Sequence, residues 1–197
     1  MKKPYVLIFL AAIIGLWMSS AVWADNVALN KVVTLHGTYS GGDPACVVDG
    51  YFPPRGTAWN VNSLYTNRSD RFEVSLTIDL GGVYTIDSLI VQGDDNDAFR
   101  LSYWDGSAWQ TAWDVPNYDA YGWGQQCRPN PADTTEKFFL SAPITTNELM
   151  FKATSGDTGW SVSEIQAFGS PVPLPGAVWM FGYGLMRLVG LRRFRKS

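Results

Sequence analysis

Between Phe72 and Leu80 apolar and polar residues alternate without a break, Phe72, Val74, Leu76, Ile78 and Leu80 against Glu73, Ser75, Thr77 and Asp79. A period of two places the two sets on opposite faces of an extended strand, which excludes an amphipathic helix here. Gly81-Gly82 reads as a turn, because glycine accepts positive φ without a steric cost. A second apolar run of Ile86, Leu89, Ile90 and Val91 then stops at the acidic cluster Gly93-Asp94-Asp95-Asn96-Asp97. The alternation resumes in Phe99–Trp104, Asp105-Gly106 supplies a hairpin turn, and Ala108–Trp113 returns. The region from Phe72 to Trp113 therefore predicts antiparallel β structure, with the rest of the chain organised around it.

The flanking segments extend the same pattern. Asn26–Tyr39 reads as an entering strand, with Val32, Val33 and Leu35 as β-formers. It carries His36, the only histidine; no partner for a catalytic triad lies near it in sequence, so a hydrogen-bonded strand histidine is expected. Leu64–Arg71 reads as a loop. Lys137–Leu140 and Glu148–Ala153 read as two strands around Ala142–Thr146, and Ser155–Gly159 as a turn. Trp160–Phe168 closes the sheet, with Trp160 expected in the core.

The order of these pieces carries a resemblance. Ser75–Gly81, Tyr84-Thr85-Ile86 and Arg100–Trp109, preceded by Asn26–Lys31 and Val48-Asp49-Gly50 and followed by Ser161–Gly169, resemble the discoidin family. That family includes coagulation-factor-type C domains and bacterial carbohydrate-binding modules of galactose-binding-like fold. The resemblance implies an all-β, antiparallel jelly-roll β-sandwich over residues 25–169 and a non-enzymatic, carbohydrate-binding role.

It also implies a calcium site. In the discoidin-like carbohydrate modules an Asp-Gly followed by Thr-x-Trp, with a Glu near the last strand, supplies oxygens to a structural calcium ion. Here the matching residues are Asp49, Thr57 and Glu164, with loop carbonyls completing the shell of six to eight hard oxygens that calcium takes. The spacer holding Pro53 and Pro54 is longer than the family pattern, and the alternative is a turn in which Asp49 bonds only its own backbone.

Two loops hold the ligand candidates. Asp95 and Asp97, beside Asp94, read either as carboxylates accepting hydrogen bonds from sugar hydroxyls or as a solvated acidic turn. Pro116–Asp133 has little periodicity and is rich in aromatics, Gly and Pro, as functional loops often are. Tyr121 and Trp123 are candidates for stacking on sugar faces, with Arg128 donating to ring hydroxyls. In the alternative the rings pack down over one end of the sandwich, stapled by Cys127; this weighs more for Trp123 than for Arg128. Nothing indicates two carboxylates facing each other across a hydrolytic cleft.

Charge narrows the partners. All 18 acidic residues lie between Asp25 and Glu164, where only eight basic ones accompany them. A domain with that excess repels a phosphate backbone, so nucleic acid is excluded as a partner. Aromatics make up 14% of the chain, including nine tryptophans, more than one sandwich of this size buries, so some are expected at exposed loops.

The two ends address the chain elsewhere. Lys2-Lys3, the apolar run Val6–Met18 and the small residues before Asp25 have the three-part form of a secretory signal peptide over residues 1–24, an uncleaved anchor being the alternative. Export to an oxidising compartment makes a Cys46–Cys127 disulfide the expectation, two unpaired thiols the alternative. Residues 170–176 form a proline-rich linker, and an apolar helix over 177–191, about 22 Å long, falls short of a ~30 Å hydrocarbon core. Proline motif, short apolar helix and basic end resemble a PEP-CTERM sorting signal in its Val172-Pro173-Leu174-Pro175 variant, with Leu174 in place of Glu and Arg187 interrupting the apolar run. That resemblance implies a membrane-anchored intermediate, processing by an exosortase, and release to the surface or polysaccharide matrix of a Gram-negative bacterium; a permanent anchor is the alternative. The favoured ligand is an extracellular polysaccharide or glycan, the competing role a structural or adhesive surface protein that binds protein partners.

Overall fold

The structure, a computed structural model, describes residues 24–172 and 176. The expected signal peptide, the Pro173-Leu174-Pro175 part of the sorting motif and the apolar helix lie outside the described residues. Nine strands form the domain: β1 (Asp25–Asn26), β2 (Val32–His36), β3 (Leu64–Thr66), β4 (Ser75–Gly93), β5 (Ala98–Trp104), β6 (Trp109–Val115), β7 (Gln126–Arg128), β8 (Phe138–Ser155) and β9 (Trp160–Pro171). Every strand pair is antiparallel, and the principal order is β1-β9-β4-β8-β5-β6, with β2 and β7 paired to β4 and β3 to β9. The only other regular elements described are 3-10 turns at Pro44–Val48 and Asp119–Tyr121. The fold is the all-β jelly-roll sandwich that the sequence implied.

The organising role of β4 is borne out, with a correction to its shape. Gly81-Gly82 bends the chain without ending the strand. β4 runs through it as one strand of 19 residues, paired to β8 from Leu76↔Phe151 down to Leu89↔Phe138. The pairing jumps between Asp79↔Glu148 and Tyr84↔Thr146, so the glycines form a bulge. Gly81, at φ +72°, donates its N–H to the Asp79 carboxylate at 2.8 Å, which closes the bulge locally. The two strands read from Lys137–Leu140 and Glu148–Ala153 are likewise one, β8, with its own irregularity opposite Ile86–Ser88. Two long strands bent at bulges carry the sheet from one layer to the other and wrap it around a shared core.

That core joins Leu76, Ile78, Leu80, Ile86, Leu89 and Val91 of β4 to Phe99, Leu101, Leu149, Phe151, Val162 and Ile165. Trp160 is fully buried among them, edge-on to Tyr39, Phe99 and Phe151. The Asp105-Gly106 hairpin forms as expected, with Trp104↔Trp109 closing the β5–β6 ladder. His36 is the strand histidine the sequence suggested, its Nε2 3.0 Å from the Thr77 hydroxyl. Leu64–Thr66, read as loop, is a short strand because Leu64 pairs with Val162 and is buried.

Strand direction gathers the loops. The C-terminal ends of β4, β6 and β8 and the N-terminal ends of β5, β7 and β9 lie together, so the segments joining them share one end of the sandwich. The expected Cys46–Cys127 bridge is not formed: the half-buried Cys46 lies in the first 3-10 turn and the buried Cys127 in β7, both as free thiols.

Candidate functional site

Arg128 organises the loop end. The sequence offered it as a sugar donor, but it is fully buried and faces the main chain. Nη1 donates to the carbonyls of Gly93 (2.7 Å) and Gln126 (2.9 Å), and Nη2 to those of Asp94 (2.5 Å), Asp97 (3.2 Å) and Asp95 (3.3 Å). Nε donates to Pro116 at 3.2 Å. The guanidinium also lies 5.5 Å from the ring centre of Phe99 and 5.3 Å from that of Tyr118. Five fixed donors in a planar fork suit a loop whose carbonyls turn inward, and no other side chain supplies them. Burial pulls its pKa down to about 10, opposed by the charge of Asp97.

The acidic cluster is a built loop, not a solvated turn. Asp95 is 5% exposed and accepts the Gly124 N–H at 2.6 Å, tying the β4–β5 loop to the one before β7. Asp97 is fully buried; one oxygen accepts the Ser161 N–H at 3.2 Å and the other has no hydrogen-bond partner among the described residues. It lies behind the surface and does not reach a ligand, which corrects the expectation for it. Burial, and then the charge of Asp94, push Asp97 up to about 9. Burial and the neighbouring Asp95 push Asp94 up to about 7.

Below these loops lies a polar network that the sequence reading did not single out. Gln92, Gln125, Ser161 and Ser163 are all buried. Gln125 Nε2 donates to the Ser161 hydroxyl at 2.7 Å and to the Trp59 carbonyl at 3.1 Å, Ser163 bonds Gln92 Oε1 at 2.9 Å, and Gln92 Nε2 donates to the Pro53 carbonyl at 2.9 Å. Backbone bonds Gln125 N–H to Thr57 and Gly56 N–H to Gln125 fasten the segment before β3 against the segment before β7. Gly124 permits the approach: at φ +79°, an added Cβ would stand 2.4 Å from the Thr57 carbonyl. The sequence carried a faint signal only in Gly122-Trp123-Gly124.

These ties leave a cavity of about 170 Å³ at the surface, lined by Trp59, Asp94, Asp95, Asn96, Trp123, Asp157, Thr158 and Gly159. Trp123 is 65% exposed and Tyr121, outside the lining, 53%. The sequence weighed Trp123 towards packing and Arg128 towards the ligand; the structure leaves Trp123 exposed and buries Arg128. Trp59 is half-buried, edge-on to Tyr65 at 5.0 Å. Two indoles beside carboxylates and an amide form an apolar wall with hydrogen-bond acceptors. A larger open groove of about 680 Å³ runs along the β8 irregularity, between Tyr103 and Phe139. Its one carboxylate, Asp105, is engaged by Ser107, Ala108 and Gln110 of its own hairpin, so it offers less polar chemistry.

Of the expected calcium ligands, the structure brings two within electrostatic reach. Glu164 is fully buried on β9, accepting from Gly50 N–H (3.3 Å) and Gln166 Nε2 (3.0 Å). Burial pushes it up to about 8, and the Asp49 charge adds to the rise. Asp49 is exposed and accepts the Tyr51 N–H at 2.8 Å, the local turn named as the alternative. The Thr57 hydroxyl donates to the Pro54 carbonyl at 2.6 Å. Among the described residues no three His, Cys, Asp or Glu side chains cluster as a metal site. A buried carboxylate whose one recorded charged neighbour is a second carboxylate nevertheless fits a hard divalent cation, with loop carbonyls supplying the remaining oxygens.

No protein-family model matches the sequence, and no curated protein matches it. Solved structures do. The chain is similar to the lectin domain of Lectinolysin, determined with the Lewis B antigen, at 17% identity and TM-score 0.51, covering 76% of this chain and 99% of that one. It is similar to the family 89 glycoside hydrolase from Clostridium perfringens determined with PUGNAc, at 15% identity and TM-score 0.52 over 76% of this chain. It is also similar to SpGH29, at 14% identity and TM-score 0.51 over 75% of this chain. The chain spans 15% of the length of that family 89 hydrolase and 28% of SpGH29. At these identities the likeness establishes the fold.

Proposed function

We propose that this chain is an exported, non-catalytic carbohydrate-binding protein whose ligand enters the cavity between Trp59 and Trp123. The observation that carries the reading is that pairing of an exposed indole with a half-buried one beside Asp94, Asp95 and Asn96. Sugar rings present an apolar face edged by hydroxyl donors, and an aromatic wall with fixed acceptors complements both. At this volume the cavity takes about one sugar residue, the rest of a polysaccharide running over the loop surface. The Lectinolysin domain, determined with a glycan, lends support to the scaffold in this role but does not name the sugar. Asp94, Asp95 and Asp97 stand side by side in one loop, not on opposite walls of a cleft, which favours binding over hydrolysis.

Calcium would sit between Asp49 and Glu164, joining the loop after the first 3-10 turn to β9. It would neutralise the two carboxylates and stiffen that loop, as a structural ion does. From the sequence ends we infer export by the signal peptide and sorting by the PEP-CTERM-like tail, with exosortase processing and a membrane-anchored intermediate leading to the cell surface or matrix. The test is a glycan array on the intact chain, wild type against Trp123→Ala. Retained binding in the variant removes the cavity as the site; no binding to any glycan favours the structural or adhesive role instead.

A further inference from the structure

We propose that this cavity selects sugars bearing a free, protonated amine, an amino-polysaccharide in place of a neutral or uronic one. The inference rests on the reading of the cavity as a saccharide site. Three of its lining residues are aspartates, Asp94 and Asp95 each more than nine-tenths buried and Asp157 exposed. None of its lining residues is basic.

The arginines around it are turned to other work. All three guanidinium nitrogens of Arg128 donate to main-chain carbonyls beneath the loop. Arg71 donates through Nη2 to the Asp157 carbonyl and stacks on Phe72, 4.6 Å from its ring centre. Arg55 donates to the Tyr121 carbonyl.

The hydrogen-bond inventory points the same way. Asn96 lines the cavity, and its Oδ1 is buried with no partner among the described residues. The charged groups of the lining are all carboxylates, so donors on a ligand have acceptors to meet. An ammonium brings three together with a positive charge, and its bonds to carboxylates are of the strong, charge-assisted kind. An acetamide in the same place offers one donor and adds a carbonyl. A uronic acid adds a like charge to a lining that already holds three aspartates and no basic residue. Burial and Asp95 disfavour ionisation of Asp94, and a bound cation reverses both effects.

The test is isothermal titration of the intact chain, near neutral pH, with three oligosaccharides of equal length: fully deacetylated glucosamine, its N-acetylated counterpart and a polyuronate. The amine form is expected to bind about tenfold or more tightly than the acetylated form, the scale of one charge-assisted hydrogen bond, and the polyuronate not measurably. Asp94→Asn and Asp157→Asn should each narrow that preference; the exposed Asp157 keeps the test open should the first variant fold poorly. Equal or tighter binding of the acetylated form, lost in Trp123→Ala, overturns the inference while leaving the saccharide site intact. A preference for the amine that neither aspartate variant narrows reduces it to diffuse attraction by an acidic domain and overturns it too. No binding by any of the three, with none on the array, overturns both readings.

Discussion

Arg128 reaches the backbone of Asp94 and not its carboxylate: Nη2 lies 2.5 Å from the Asp94 carbonyl oxygen. The arginine thus fixes where the acidic loop runs through its carbonyls, with no direct ion pair to the carboxylates that line the cavity. Shape and charge of the loop are set by different groups, so substitution can separate them.

Arg128→Lys is expected to cost roughly 3 kcal/mol of stability, because an ammonium with three donors leaves several buried carbonyls unmet. Urea denaturation of the two proteins measures this. A loss below about 1 kcal/mol would mean the loop holds its course by other contacts.

Trp123→Ala should leave stability within about 0.5 kcal/mol, as for most exposed positions, while weakening saccharide binding on the order of tenfold. Trp59→Ala should do both kinds of damage, since this ring is half-buried against Tyr65. Equal melting temperatures for wild type and Trp59→Ala would contradict that packing.

Glu164 predicts an unusual pH dependence. Its carboxyl rises from the usual 4.5 to about 8 in the folded chain, so the folded state holds a proton that the unfolded state releases. Stability is then greatest below about 4.5 and falls as pH rises towards about 8. Asp94, raised to about 7, and Asp97, raised to about 9, act in the same direction. Calcium should cancel the part due to Glu164, and Glu164→Gln should flatten the slope and abolish the calcium gain. Calorimetric melting across this range, with calcium or chelator, checks each arm; a calcium gain retained in the Gln variant would place the ion elsewhere.

Cys46 and Cys127 are both pushed up to about 12, chiefly by burial. The native chain should therefore alkylate slowly at neutral pH and yield two thiols once unfolded. Recovering none after denaturation would restore the bridge.

Alternation made β4, β5, β6 and β9 legible from the residues, and the Asp105-Gly106 hairpin with them. The Gly81-Gly82 bulge was not, because a bulge and a turn ask the same freedom of glycine. Only the register of β8 opposite distinguishes them. The loops were the harder part. Arg128 and Trp123 lie in one irregular stretch, and their burial depends on carbonyls from Gly93 to Asp97 that no local pattern aims at them. Trp59 stands in the Thr57-Ala58-Trp59 motif, whose spacing bears on the Thr57 oxygen and carries no information about where the indole ring lies. Gln92, Gln125, Ser161 and Ser163 carry no local pattern that marks them as interior, and they are buried because loops close over them.

Asp25 pairs with Gly169, and Val172 bonds Val83 just beyond the β9 ladder. The polypeptide thus enters and leaves the domain side by side. β9 begins at Trp160, beside the cavity, and leads away from it through twelve residues, up to about 40 Å of extended chain. A tail held in a bilayer would carry the domain like a flower on its stalk, the mouth of the cavity turned to the surrounding medium and the stem clear of whatever it grips.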